Sequence, residues 1–111
     1  MFFEENGIDL TNWKELLKNG EKAGIDTYFS RVSKLNLRNS IFIDITANQN
    51  VSEMYEPYLR QNIAVVTCNK IACASSSENY NTLKNVSRKS NVSFLYETNV
   101  GAGLPIIDTL K

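Results

Sequence analysis

Three short polar segments hold the residue types that could do chemistry in this chain: Thr46-Ala47-Asn48, Thr67-Cys68-Asn69-Lys70 and Thr98-Asn99-Val100-Gly101-Ala102-Gly103. Each closely follows an apolar run. Lys70 is the one cation among them. An ammonium there can hold an anion, or donate a proton if burial lowers its pKa; a surface lysine after a turn is the plain alternative. The chain contains no histidine. That excludes, within it, a complete Ser-His-Asp or Cys-His set and any His-ligated metal. Proton chemistry would fall to Lys, Asp, Glu, Tyr or Cys.

The third segment lies inside Tyr-Glu-Thr-Asn-Val-Gly-Ala-Gly-Leu-Pro, residues 96–105. An apolar run, Val92 to Tyr96, leads in. Gly101 and Gly103 stand one residue apart, and Pro105 precedes the helix-like 106–110. The pattern predicts a strand, a tight loop and a helix start, with backbone N–H and C=O groups left exposed for binding. A dinucleotide fingerprint, G-x-G-x-x-G, fits this place poorly. Ile106 stands where the third glycine belongs, and no acidic residue follows about 20 positions later. The other reading is a loop whose carbonyls, with Glu97 nearby, hold a hard cation.

The elements that must position these segments are an alternation of strands and helices. Ile41-Phe42-Ile43-Asp44-Ile45, Ile63-Ala64-Val65-Val66 and Val92-Ser93-Phe94-Leu95-Tyr96 are short, nearly continuous apolar runs. Runs of this kind suit strands buried on both faces of a parallel sheet. Between them, Val51, Met54, Tyr55, Tyr58 and Leu59 form a helical stripe, which Pro57 should end or kink. Ser75-Ser76-Ser77-Glu78 reads as a capping box before Tyr80, Leu83 and Val86. Lys84, Arg88 and Lys89 then make a solvated face with the sign that suits a helix C-terminus.

The order from residue 40 is therefore β-α-β-α-β-α. It predicts an α/β fold, a partial Rossmann-like parallel sheet flanked by helices. Ligands in such sheets sit outside the carboxyl ends of the strands, so the three polar segments should share one edge. Turn-formers after strands are ordinary; what points to a site is three polar ends, one with a lysine and one with a glycine loop. The first third reads as helical. Thr11 can cap a helix facing inward with Trp13, Leu16 and Leu17; Asp26 can cap another with Phe29, Val32 and Leu35. Phe2 to Glu4 reads as a short strand.

Bulk properties narrow the class. The 111 residues carry 12 basic and 12 acidic side chains, so nothing steers the chain toward nucleic acid or a membrane surface. No apolar run approaches the roughly 20 residues of a membrane span, and residues 1–6 do not read as a signal peptide. Cys68 and Cys73 are too few for a disulfide framework or a zinc site and read as cytosolic thiols. Asn50, Asn85 and Asn91 each begin an Asn-Val-Ser sequon, a match that chance alone supplies often.

Thr67-Cys68-Asn69-Lys70 and residues 96–105 resemble the central segments of homoserine dehydrogenase. Ile43-Asp44-Ile45-Thr46 is similar to the family's preceding strand and its nucleotide-contacting end. Gly7-Ile8-Asp9-Leu10 with Trp13 resembles a stretch of the bifunctional aspartokinase–homoserine dehydrogenases. The resemblance implies NADPH- or NADH-dependent reduction of aspartate 4-semialdehyde to homoserine, in threonine, methionine and isoleucine biosynthesis. It implies that Thr46 and Ala47 contact the nucleotide. Lys70 would stand between cofactor and substrate as a cofactor-binding and catalytic residue. The main-chain carbonyls of Glu97, Val100, Ala102 and Leu104 would hold sodium or potassium.

Two departures stand out: Ala47 replaces a common serine or threonine, and Cys68 a common proline. The family's glycine fingerprint and substrate-domain residues have no counterpart in these 111 residues. The chain is thus expected to be one partial domain, residues 1–111. It would be the later part of an NAD(P)-binding Rossmann domain and the start of the hinge to a substrate domain, inactive alone. The parent is expected to be cytoplasmic and homo-oligomeric. A competing class is a non-catalytic receiver-like α/β domain, which would need an acidic cluster at its strand ends.

Overall fold

In the computed structural model, residues 1–100 and 106–110 are described, without the side chains of 107 and 108. The chain forms two compact units, Met1–Asn36 and Leu37–Lys111.

In the first unit, α1 spans Trp13–Lys18 and α2 spans Ile25–Leu35, and neither helix contains a buried residue. The expected caps differ. Asn12 stands at the N-cap of α1 with no side-chain bond. The Thr11 hydroxyl and N–H turn instead to Asp9 Oδ1, at 2.7 and 2.9 Å. Asp9 Oδ1 closes a local turn over Thr11 and fixes its side chain away from the helix, a local bond that competes with capping. Gly24 caps α2, and Asp26 falls inside its first turn, where a negative charge complements the helix dipole. The strand expected at Phe2 to Glu4 does not form. Phe3 packs instead on Tyr28, with ring centroids 5.3 Å apart, and under the Arg31 guanidinium.

The second unit is built on three parallel strands in the order β1-β2-β3: Ile41–Asp44, Ala64–Thr67 and Phe94–Leu95. Ile41 pairs with Ala64, Asp44 with Thr67, and Val65 with Phe94. The helices are α3 (Gln49–Ser52), α4 (Tyr55–Arg60), α5 (Ile71–Ala74), α6 (Ser77–Ser90) and α7 (Ile106–Thr109). A 3-10 turn covers Glu97–Asn99. The Val51–Leu59 stripe is split between α3 and α4. Proline at position 57 has no N–H to offer residue 53, so the helix restarts and takes Pro57 into the first turn of α4, where proline is tolerated. Tyr55, Tyr58 and Leu59 are completely or almost completely buried. They meet Val65 and Phe94 from the sheet and Leu83 and Val86 from α6 in one core. Phe42 stacks on Tyr58 with centroids 4.2 Å apart.

Three details depart from expectation. Strand residues Ile41, Ile43 and Leu95 remain exposed, so the strands are not buried on both faces among the described residues. The cap of α6 is Ser76, whose Oγ accepts the Asn79 N–H at 3.2 Å; the Ser75–Glu78 box is one residue out of register. Asn79 stands at the third helical position in place of Glu78, and its Nδ2 donates to Ser75 Oγ at 2.8 Å. The one-turn helix α5 has no periodic stripe to announce it.

Candidate functional site

Asp44 ends β1 with its side chain turned inward and 1% exposed. Burial alone would raise its pKa. Hydrogen bonds from the Tyr55 hydroxyl, the Thr46 N–H and hydroxyl, and the Asn69 amide outweigh that effect and hold the carboxyl below the usual carboxylate range. Tyr55 Oη donates to Asp44 Oδ2 at 2.5 Å, and Asn69 Nδ2 donates to the same oxygen at 3.0 Å. The Thr46 N–H reaches Oδ1 at 2.7 Å. Among the described residues no lysine or arginine pairs with this carboxylate.

The chain of donors continues into β2. With its proton committed to Asp44, Tyr55 Oη accepts from Thr67 Oγ1 at 2.6 Å. Thr67 Oγ1 in turn accepts the Asn69 N–H at 2.9 Å. Burial, and then the Asp44 acceptor, push the Tyr55 phenol well above its ordinary value. Asn69 spends every polar group of its side chain. Nδ2 also donates to the Asn48 carbonyl at 3.0 Å, and Oδ1 accepts the Ile71 N–H at 3.1 Å, which starts α5.

The third strand end joins through Asn99 and Thr98. Asn99 Nδ2 donates to the Asn69 carbonyl at 3.2 Å, and Thr98 Oγ1 to the Thr67 carbonyl at 3.3 Å. The expected convergence of three polar strand ends on one edge is thus present. Asn99 is itself buried, and its Oδ1 meets no hydrogen-bond partner among the described residues. Burial pushes the nearby Cys73 thiol up, against a smaller opposing effect of the Asn99 amide; such a thiol stays protonated and unreactive.

The residues singled out from sequence lie around this buried brace. The pairing of Asp44 with Thr67 puts Thr46 and Lys70 just beyond matched positions of adjacent strands. Thr46 is exposed, and its Oγ1 accepts the Asn48 N–H at 3.2 Å. Ala47 is exposed and offers only a methyl group and its backbone. Lys70 stands exposed at the N-cap of α5, and its carbonyl accepts the Ala74 N–H at 2.9 Å. Its ammonium enters no ion pair among the described residues.

Glu97 opens the 3-10 turn, and its carbonyl accepts the Val100 N–H at 3.3 Å. Val100 is half-exposed. Ala102 and Leu104 lie outside the described residues. No group of three or more His, Cys, Asp and Glu among the described residues could hold a metal, so a cation here would depend on backbone carbonyls.

Asn69 and Asn99 fall within the polar segments read from the sequence, whereas Asp44 and Tyr55 were not legible as site residues. Asp44 carried a signal, since an acid inside a β-branched run must be paired or hydrogen-bonded. Tyr55 reads as one more member of an apolar stripe.

A parallel sheet with helices, whose polar strand ends meet on one edge, defines a partial Rossmann-like fold of the NAD-binding class. The family model described as the homoserine dehydrogenase NAD-binding domain matches residues 26–97, and the chain belongs to that family. It is 40% identical to the chloroplastic bifunctional aspartokinase/homoserine dehydrogenase 1 of Arabidopsis thaliana, over 100% of this chain and 12% of the relative. The bifunctional enzyme of Haemophilus influenzae is 38% identical over 100% of this chain and 14% of its own length. The homoserine dehydrogenase of Schizosaccharomyces pombe is 34% identical over 94% of this chain and 28% of its own. A solved Candida auris protein of unknown function superposes with a TM-score of 0.81 at 30% identity, covering 97% of this chain and 30% of that one. The chain therefore spans a small part of each relative it matches. No helix among the described residues is long and apolar enough to cross a membrane.

Proposed function

We propose that this chain is the part of a homoserine dehydrogenase that brings a nicotinamide nucleotide to its substrate, within a bifunctional aspartokinase-linked parent. The reaction is NADPH- or NADH-dependent reduction of L-aspartate 4-semialdehyde to L-homoserine. One observation carries the reading. Thr46 and Lys70 follow the paired ends, Asp44 and Thr67, of adjacent parallel strands, within the segment that the family model matches. The bound nucleotide supplies the hydride.

The chain's own residues bind and orient. Thr46 and Ala47, both exposed at the strand end, line the nucleotide, Ala47 through its backbone. Lys70 lies between nucleotide and aldehyde. Its ammonium holds the carbonyl oxygen and gives a proton to the forming alkoxide. The carbonyls of Glu97 and Val100, with those of Ala102 and Leu104, hold a sodium or potassium ion beside it. Residues 1–111 then represent the later part of the nucleotide-binding domain and the start of the hinge to the substrate domain. The parent is a homo-oligomer. Two free thiols, Cys68 and Cys73, suit a reducing, cytoplasmic setting.

The 111 residues contain no G-x-G-x-x-G, so the chain alone is expected to bind NADPH weakly and to turn nothing over. Nicotinamide fluorescence should report that binding, and Lys70→Ala should weaken it. An absence of binding would overturn the nucleotide reading. Oxidation of NADPH by the purified chain in the presence of aspartate semialdehyde would overturn its inactivity.

A further inference from the structure

We infer that Tyr55 is a positioning residue: acting through Asp44 and Thr67, it sets the strand-end backbone that presents Thr46 and Lys70. Tyr55 belongs to α4, faces the core and, among the described residues, makes no hydrogen bond to Thr46 or Lys70. Its hydroxyl nevertheless joins the two strand ends that carry them. It donates to Asp44 at 2.5 Å on β1 and accepts from Thr67 at 2.6 Å on β2. Each of those partners is one step from the site. Asp44 Oδ1 holds the Thr46 N–H at 2.7 Å. Thr67 Oγ1 holds the N–H of Asn69, which directly precedes Lys70, at 2.9 Å.

A core tyrosine needs only one partner for its hydroxyl. This one takes two, from different strands, and one of them is a buried carboxylate with which no lysine or arginine pairs among the described residues. The carboxylate keeps its charge only while its donors stay in place. Removing the Tyr55 hydroxyl leaves Asp44 short of a donor and Thr67 short of an acceptor. Each of them also holds a backbone N–H of the site, so a shift of either side chain is passed to Thr46 or Asn69. Packing cannot replace this brace. Tyr55 Oη bridges the Asp44 and Thr67 side chains, alongside the direct Asn69 Nδ2–Asp44 Oδ2 bond at 3.0 Å, while the ring itself is held separately by Phe42 and Phe94, with centroids 6.4 and 6.0 Å away. Tyr55→Phe therefore keeps the core and cuts the brace.

The test uses the full chain, labelled with nitrogen-15, as wild type, Tyr55→Phe and Leu59→Met. Leu59 lies on the same helix, is fully buried and has no side-chain hydrogen bond, so its variant perturbs packing alone. The amide shifts caused by Tyr55→Phe are expected to be largest at Thr46, Asn69 and Lys70, with amide exchange there at least tenfold faster. Leu59→Met should leave those three amides in place. Equal perturbation of the three amides by both variants, or none by Tyr55→Phe, would overturn the inference. If Tyr55→Phe does not fold, Thr67→Val cuts the same brace from the other side and is judged by the same three amides.

The consequence for affinity rests on the nucleotide reading above, and a separate NADPH titration tests it. Tyr55→Phe is expected to weaken binding about tenfold and Leu59→Met less than twofold. A wild-type chain that binds no NADPH would sink the nucleotide reading while the amide shifts still judge the brace.

Discussion

Tyr55 Oη donates to Asp44 Oδ2 at 2.5 Å, and this one bond ties helix α4 to the carboxyl end of β1. Hydrogen bonds to a buried charge are worth more than neutral ones, because the protein must replace all the water the ion gave up. Tyr55→Phe should therefore cost about 1.5–3 kcal/mol, read as a lower urea midpoint at unchanged slope. A cost under about 0.5 kcal/mol, the range of an ordinary surface substitution, would mean that the bond is not made in solution.

The same carboxylate gives the fold an acid limb. The Asp44 pKa is lowered in the folded chain, so its contribution to stability is full above the ordinary carboxylate value of about 4 and is lost as pH falls through the folded value. Cys73 works from the other side. Its pKa is raised by burial, so its contribution is full below the ordinary thiol value of about 8.5 and is lost as pH rises through the folded value. Urea midpoints measured across pH should fall at both ends. Asp44→Asn should flatten the acid limb and leave the alkaline one. An unchanged acid limb in that variant would assign it to other carboxylates.

Much of the architecture was legible because its cause is local. Three apolar runs gave the three parallel strands, and Val51 through Leu59 gave a stripe whose Tyr55, Tyr58 and Leu59 are the core. Pro57 announced the break between α3 and α4. Helix ends were misplaced where several cap-formers compete. Thr11 prefers the Asp9 carboxylate, and of three adjacent serines Ser76 rather than Ser75 meets the α6 N-terminus. The exposed members of the site, Thr46 and Lys70, stood out as polar residues after strands. Buried Asp44 and Tyr55 did not, because they meet only through the tertiary fold, as do Asn69 and Asn99, which stood out only as polar strand-end residues.

Ser76 offers a direct check of the corrected cap. Ser76→Ala should destabilise the chain by about 1 kcal/mol, the usual worth of an N-cap side chain. Glu78→Ala, which removes the other half of the box expected from sequence, should cost less than half of that. Thermal or urea unfolding of the two variants decides it. Equal costs would restore the Ser75–Glu78 register.

Lys70 should separate function from stability. Its side chain is exposed and enters no ion pair among the described residues, so Lys70→Ala should change stability by no more than about 0.5 kcal/mol. The same substitution should weaken NADPH binding about tenfold, the loss of one charge-assisted contact. A large loss of stability in Lys70→Ala would make it a structural residue instead.

The central claim is that the strand-end edge bearing Thr46 and Lys70 receives a nicotinamide nucleotide. Titration of the nitrogen-15-labelled chain with NADPH, and separately with NADH, tests it most directly. The largest amide shifts are predicted at Thr46, Ala47 and Lys70, saturating together and diminished in Lys70→Ala. Shifts confined to another surface, such as the Lys84 and Arg88 face of α6, or no shifts with either nucleotide, would contradict it.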